Sequence, residues 1–268
     1  MSGIRGVVDR PQTLKLFANH EFSVVVSLIF SPSSHTRRSS SSFSNNRRST
    51  TMETTSQAES IAITYLDIPL GGRGGAVRFF ALLHGLTFDF NTVKLSDWPA
   101  EKARLKESCE NPCGSLPVVQ VGAHTLIEHV ATMRYIARTN NLTTGDAYGD
   151  FVQDAVADEH HGWVSSFYAA MFGSEDAKVA YKEALPGHLA LFEALYTKYK
   201  IGEGAYLSTS PSGKGLWADT VLFNLLLDNV KSGLMATEGL EEYPKLKAMF
   251  EAYKAEPAVS TFIKSQEA

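Results

Sequence analysis

Side chains able to make or break bonds are sparse in this chain of 268 residues. Its two cysteines, Cys109 and Cys113, stand four apart with no local histidine, which gives neither a disulfide framework nor the ligand spacing of a structural zinc site. Asp154, Asp158, His160 and His161 fall in one helical stretch. Asp158 and His161 share a face there, yet no further ligand joins them, so no metal is expected. What remains are groups suited to binding and polarising a small molecule. Arg73 sits among Gly71, Gly72, Gly74 and Gly75, where backbone can approach a ligand closely and a helix N-terminus favours an anion. Trp98 and Lys102 are four apart and share a helical face. Tyr65 ends an alternating stretch; by itself it also fits an ordinary strand aromatic.

The elements that must carry these residues follow two periods. IAITYL from Ile61 alternates as a strand does, and Val77, Phe80, Ala81 and His84 then repeat at helical spacing. Phe88 to Val93 is a second strand, and Asp97 to Lys106 a short polar helix. Pro117 to Val121 and His124 to Ile127 form a hairpin across Gly122-Ala123, followed by a helix marked by Val130, Met133 and Ala137. The order βαβαββα predicts a small mixed sheet with helices, as in thioredoxin. Past the loop Asn140 to Gly149 the strand signals stop. Helices are predicted at Asp150 to Phe172, Glu175 to Lys200, Trp217 to Lys231 and Tyr243 to Lys254, with a short one after Pro257. The fold class is therefore an α/β thioredoxin-like half followed by an all-α half, with the boundary near residue 145.

Charge is uneven. Residues 1–51 carry +5 and the rest −9, and SPSSHTRRSSSSFSNNRRSTT from Ser31 has no acid and no apolar periodicity. Residues 1–55 are expected to be a disordered leader. It is either an organellar transit peptide, as acid-poor Arg- and Ser-rich segments are, or the product of an upstream start before Met52. The first option places the protein in a mitochondrion or plastid, the second in the cytoplasm. The run Val24 to Phe30 is far shorter than the 18 or so residues of a membrane span. No basic patch interleaved with aromatics occurs in the body, so nucleic acid is not expected as a partner.

The residues from 61 to 265 resemble the glutathione transferase family, most closely its sigma class. The segments that carry the resemblance are ITYL, RGGAVRFFALLHG, SDWPAEK, NPCGSLPVV, TLIEHVATMRYIAR, LWADTVLF and EEYPKLKAMFEAYKAEPAV. It implies a glutathione-binding domain over residues 56–143 and a helical domain over 148–268. It further implies that the Tyr65 hydroxyl donates to the glutathione sulfur. Such a donor favours thiolate over thiol and lowers a pKa that starts near 8.5; one to two units is worth about 1.4 to 2.7 kcal/mol. The turn Leu66 to Gly72 has no cysteine, which disfavours a thiol nucleophile.

The resemblance also assigns the remaining contacts. Trp98 and Lys102 address the glycine carboxylate, and Arg73 lies near the sulfur, although two extra residues separate it from Tyr65. Ser115, Leu116 and Pro117, the last in a cis bond, present backbone to the cysteinyl unit as an added strand does. Glu128 and His129 meet the γ-glutamyl end at a helix N-terminus. His129 replaces a small hydroxyl residue there, which predicts weaker binding or a pH dependence near 6.5. Val164, Phe167, Tyr168 and Phe172 are expected to line the pocket of a second, hydrophobic electrophile. An acid of the first long helix is expected to reach the partner's glutathione in a homodimer, with His161 at its place. Leu216 cannot cap the helix that Asp219 opens, so about 0.5 to 2 kcal/mol of capping is missing or supplied elsewhere. Glutathione is the co-substrate, with no metal or organic cofactor. The implied activity is conjugation, as in detoxification; a glutathione-dependent isomerase or peroxidase and a non-catalytic binding module are the alternatives.

Overall fold

The computed structural model describes residues 60–266; the expected leader over 1–55 lies outside them. Ile61–Leu66 forms β1, alternating buried and half-buried, because Ile61, Ile63 and Tyr65 face the interior. The chain continues through α1 (Gly72–Leu83), β2 (Phe88–Val93), α2 (Trp98–Glu107), β3 (Val118–Val121), β4 (His124–Leu126) and α3 (His129–Thr139). The sheet order is β2-β1-β3-β4, with β1 parallel to β2 and antiparallel to β3, and β3 antiparallel to β4. This is the mixed sheet that the alternating segments predict. It puts Tyr65 opposite Thr92 at the end of a central strand.

Helices α4 (Ala147–Phe172), α5 (Glu175–Tyr199), α6 (Trp217–Lys231), α7 (Pro244–Ala255) and α8 (Pro257–Ser265) make up the second half. α4 begins three residues before the predicted Asp150, because the Asp146 carboxylate accepts the Tyr148 and Gly149 amides, both at 2.9 Å. A 3-10 turn at Thr237–Leu240 is an element that periodicity did not predict. α6 is buried almost all round, from Trp217 to Asn229. It packs against α1 through Phe223 and Phe79, whose rings meet edge-on at 5.2 Å. A single apolar core thus runs from the sheet through α1 and α6 into the helical half.

The start of α6 answers the capping question that Leu216 raises. Asp219 is fully buried and accepts the Leu216 amide at 3.2 Å, the Leu207 amide at 2.8 Å and the Tyr196 hydroxyl at 2.8 Å. The Ala218 amide, which a polar cap would have served, donates instead to Gln153 Oε1 of α4 at 2.8 Å. The missing cap is supplied from another helix.

Candidate functional site

Tyr65 lies beneath the N-terminus of α1. Its ring needs the glycines above it: a Cβ on Gly74 would come within 2.2 Å of the Tyr65 ring, and Gly72 takes φ +55° with the Tyr65 hydroxyl where a side chain would stand. The Arg73 amide donates to the Tyr65 oxygen at 3.1 Å, and the Tyr168 hydroxyl lies close enough to favour the ionised form. Burial raises the Tyr65 pKa; the Arg73 amide bond, the nearby Tyr168 and the Arg73 charge work against that rise. The Arg73 guanidinium lies over the Tyr168 ring, 5.1 Å from its centre. At neutral pH Tyr65 is therefore a protonated hydroxyl with the Arg73 amide already on its oxygen, leaving its own proton to give.

Beside it opens a cavity of about 210 Å³ lined by Arg73, Ser115, Leu116, Pro117, Glu128, His129 and His161. Seven residues singled out in the sequence thus converge from the start of α1, the α2–β3 loop, the start of α3 and α4. The loop is held by Asn111, fully buried, which donates to the Ser115 carbonyl at 2.7 Å and accepts the Cys113 amide at 2.9 Å. The Leu116–Pro117 bond is cis. Glu128 has φ +65°, a conformation costly for a residue with a side chain, and it turns the chain into α3 without any side-chain cap. The first amides of α3 accordingly face the cavity side of the fold as a ready anion site.

Trp98 and Lys102 do not line this cavity. Trp98 packs half-buried against the cluster of Tyr65, Leu105, Leu116 and Val118. The proposed second-substrate set is dispersed. Val164 and Phe167 are core residues, 4% and 0% exposed, and Phe172 is 59% exposed at the end of α4. Only Tyr168 of the four reaches the Tyr65–Arg73 group. α4 packs on both α5 and α6, and Val164 and Phe167 are taken up by that packing.

His129 differs from expectation in its acidity. It is 2% exposed, its Nδ1 is buried without a partner, and its ring lies 6.1 Å from His160 and 6.0 Å from His161. Burial, with the Arg73 charge and His161 adding to it, pushes the imidazole down to about 3, so the expected titration near 6.5 does not occur in this state. His160, fully enclosed, is held well below its ordinary value by the same cause. Among the described residues no group of three or more His, Cys, Asp or Glu is arranged to hold a metal. Of the α4 acids, Asp154 is engaged by Arg134 at 2.5 Å and by the Trp217 indole at 2.9 Å. Asp158, 70% exposed, meets Arg134 at 3.2 Å.

Two groups escaped the sequence reading. Asp228 of α6 accepts the Gly71 amide at 2.7 Å and the Gly72 amide at 2.8 Å, and Asn224 donates to the Gly72 carbonyl at 3.0 Å. An acid in the apolar run Leu225-Leu226-Leu227-Asp228 was the available signal, since a carboxylate on a buried helix must find donors.

A thioredoxin-like sheet joined to a helical half, with a cavity lined from the starts of α1 and α3, the α2–β3 loop and α4, defines a two-part class of protein. The family model described as "Glutathione S-transferase, C-terminal domain" matches residues 157–266. Glutathione S-transferase P of Bos taurus is 30% identical over 208 residues, 76% of this chain and 92% of that protein. Probable glutathione S-transferase 5 of Caenorhabditis elegans is 28% identical over 201 residues, 73% and 92% of the two chains. The solved Pi-class glutathione S-transferase of Onchocerca volvulus superposes with a TM-score of 0.65 at 22% identity, over 77% of this chain and 93% of that one. Prostaglandin synthase D of Nilaparvata lugens gives 0.62 at 20% identity, over 76% and 97%. The chain belongs to the glutathione S-transferase family. Among the described residues no helix is long and apolar enough to cross a membrane.

Proposed function

We propose that this chain conjugates reduced glutathione to apolar electrophiles, with the Tyr65 hydroxyl stabilising the glutathione thiolate. The observation that carries the reading is the convergence of Arg73, Ser115, Leu116, Pro117, Glu128 and His129 on one cavity beside Tyr65. On this reading the open start of α3 and Glu128 take the γ-glutamyl end, while the Leu116 backbone pairs with the cysteinyl unit. The Tyr65 oxygen already accepts from the Arg73 amide, and such a bond polarises the O–H that faces the sulfur. On the same reading Trp98 and Lys102 of α2 take the glycine carboxylate. Glutathione is the co-substrate and no metal or organic cofactor takes part.

Tyr65→Phe tests the role. The variant keeps the ring and loses the donor, so turnover of a generic aromatic electrophile falls about tenfold or more and the bound thiol pKa rises by one to two units. Unchanged turnover refutes the assignment.

The finer reading, that the chain is of the sigma class, rests on the motifs between residues 61 and 265, whereas the relatives of Bos taurus and Homo sapiens carry the name P. A glutathione-dependent isomerase or peroxidase goes with the sigma reading, and product analysis with endoperoxides and hydroperoxides separates it from conjugation. The enzyme acts as a homodimer, checked by light scattering. It acts in the cytoplasm unless residues 1–51 direct it to a mitochondrion or plastid. The N-terminal residue of the protein from native cells decides between these.

A further inference from the structure

Three consecutive amides at the start of α1 point at oxygen atoms. Gly71 and Gly72 donate to the two carboxylate oxygens of Asp228, at 2.7 and 2.8 Å, and Arg73 donates to the phenol oxygen of Tyr65 at 3.1 Å. Such a run of donors is an anion-binding nest, and a buried carboxylate fills two thirds of it. Asp228 lies 156 residues further along the chain from Gly72 and is 2% exposed. One helical turn before it, Asn224 donates to the Gly72 carbonyl at 3.0 Å and to Asp228 itself at 3.3 Å. Two α6 side chains therefore hold Gly72, the residue before Arg73, at both its amide and its carbonyl. This is also where the turn is two residues longer than the pattern it resembles. A longer glycine turn is freer, so it needs an outside hold to keep one geometry.

We propose that Asp228 is a positioning residue for Tyr65: by fixing the Gly71 and Gly72 amides it sets the Arg73 amide on the phenol oxygen and the Arg73 guanidinium over Tyr168. The helical half thereby governs the acidity of a hydroxyl carried by the sheet half. Without the carboxylate the glycine turn samples other conformations, the Arg73 amide leaves the Tyr65 oxygen, and the hydroxyl becomes a poorer donor. The negative charge has a second effect, opposing ionisation of Tyr65 and so keeping its proton available. The inference rests on the reading of Tyr65 as the group that activates the glutathione thiol.

The test measures the thiol pKa of bound glutathione from thiolate absorbance in the ultraviolet, with kcat and KM for an aromatic electrophile, in four proteins. These are the wild type, Asp228→Asn, Tyr65→Phe and the double variant. Asp228→Asn keeps the shape and one acceptor but turns an amide group toward a backbone N–H. The expected result is a thiol pKa raised by about one unit, kcat reduced about tenfold and little change in KM for glutathione. In the Tyr65→Phe background the same substitution adds nothing further, because residues acting through one group are not additive. An unchanged thiol pKa in Asp228→Asn overturns the proposal, as does an equal shift with and without the Tyr65 hydroxyl, which is what general loosening would give. If Asp228→Asn does not fold, Asn224→Ala takes its place: it removes the Gly72 carbonyl bond, and a smaller shift in the same direction, again absent in Tyr65→Phe, is required. No shift in Asn224→Ala then rejects the idea. A wild type without turnover, or a Tyr65→Phe variant with the wild-type thiol pKa, rejects the role of Tyr65 itself, and the inference falls with it.

Discussion

Two helix N-termini in this molecule are handled in opposite ways. At α6, buried side chains of the protein itself meet the donors at the helix start: Asp219 takes the Leu216 and Leu207 amides, and Gln153 takes the Ala218 amide. At α3, no side chain caps the helix, Glu128 holds a strained φ of +65°, and the first turn opens on a cavity. Both ends carry the same partial positive charge. The closed end is where the fold spends its polar groups on itself, and the open end is where a ligand completes the bonding. α1 stands between them, its amides shared between Asp228 and the Tyr65 hydroxyl.

The contrast can be broken most severely at the closed end. Asp219→Ala leaves the Leu216 and Leu207 amides and the Tyr196 hydroxyl without an acceptor in a fully buried place. Urea unfolding is expected to show a loss of about 3 to 5 kcal/mol, with turnover per folded molecule retained. A loss below about 1 kcal/mol would show that water reaches the end of α6.

At the open end, pH sharpens the comparison. The His129 imidazole ionises at about 3 in the folded protein and near 6.5 when unfolded. The unfolded chain therefore binds the proton first, so the contribution of neutral His129 is complete above pH 6.5 and is lost as pH falls toward 3. Asp219 and Asp228, pushed up to about 6 by burial, act in the opposite sense, since the folded protein protonates them first. They are common to both proteins in a comparison with His129→Ser. Between pH 7 and pH 5 the wild type should lose about 2 kcal/mol more than that variant. Parallel stability profiles would mean that His129 is solvated.

The smallest effect is expected at the strained cap. Glu128→Gly accepts φ +65° without cost, which should raise stability by about 1 kcal/mol after the added freedom of the unfolded chain is counted. Glutathione retention should weaken in the same variant, because the ligand ammonium loses its acceptor. A gain in stability together with undiminished retention would detach Glu128 from the site.

Much of this was legible in the residues. IAITYL alternates because one face of a central strand is buried, and Val130, Met133 and Ala137 recur because one face of α3 meets the core. Arg73 stands out by its glycines, while Ser115 to Pro117, Glu128 and His129 are named because the segments NPCGSLPVV and TLIEHVATMRYIAR resemble those of the family. Val164 and Phe167 could not be sorted from pocket lining, because an apolar residue at helical spacing has the same pattern whether it meets a ligand or another helix.

What the sequence determined by itself was the set of elements and the kind of chemistry, both written in short-range periodicity and residue type. What only the tertiary structure decided was how those groups ionise and who holds them. His129 reads as a titrating imidazole until α4 and Arg73 enclose it, Leu216 reads as an uncapped start until Gln153 arrives from another helix, and Asp228 reads as a stray acid until Gly71 and Gly72 meet it. The reason is physical: desolvation and hydrogen-bond satisfaction depend on neighbours in space, and these neighbours lie tens to more than a hundred residues apart in the chain.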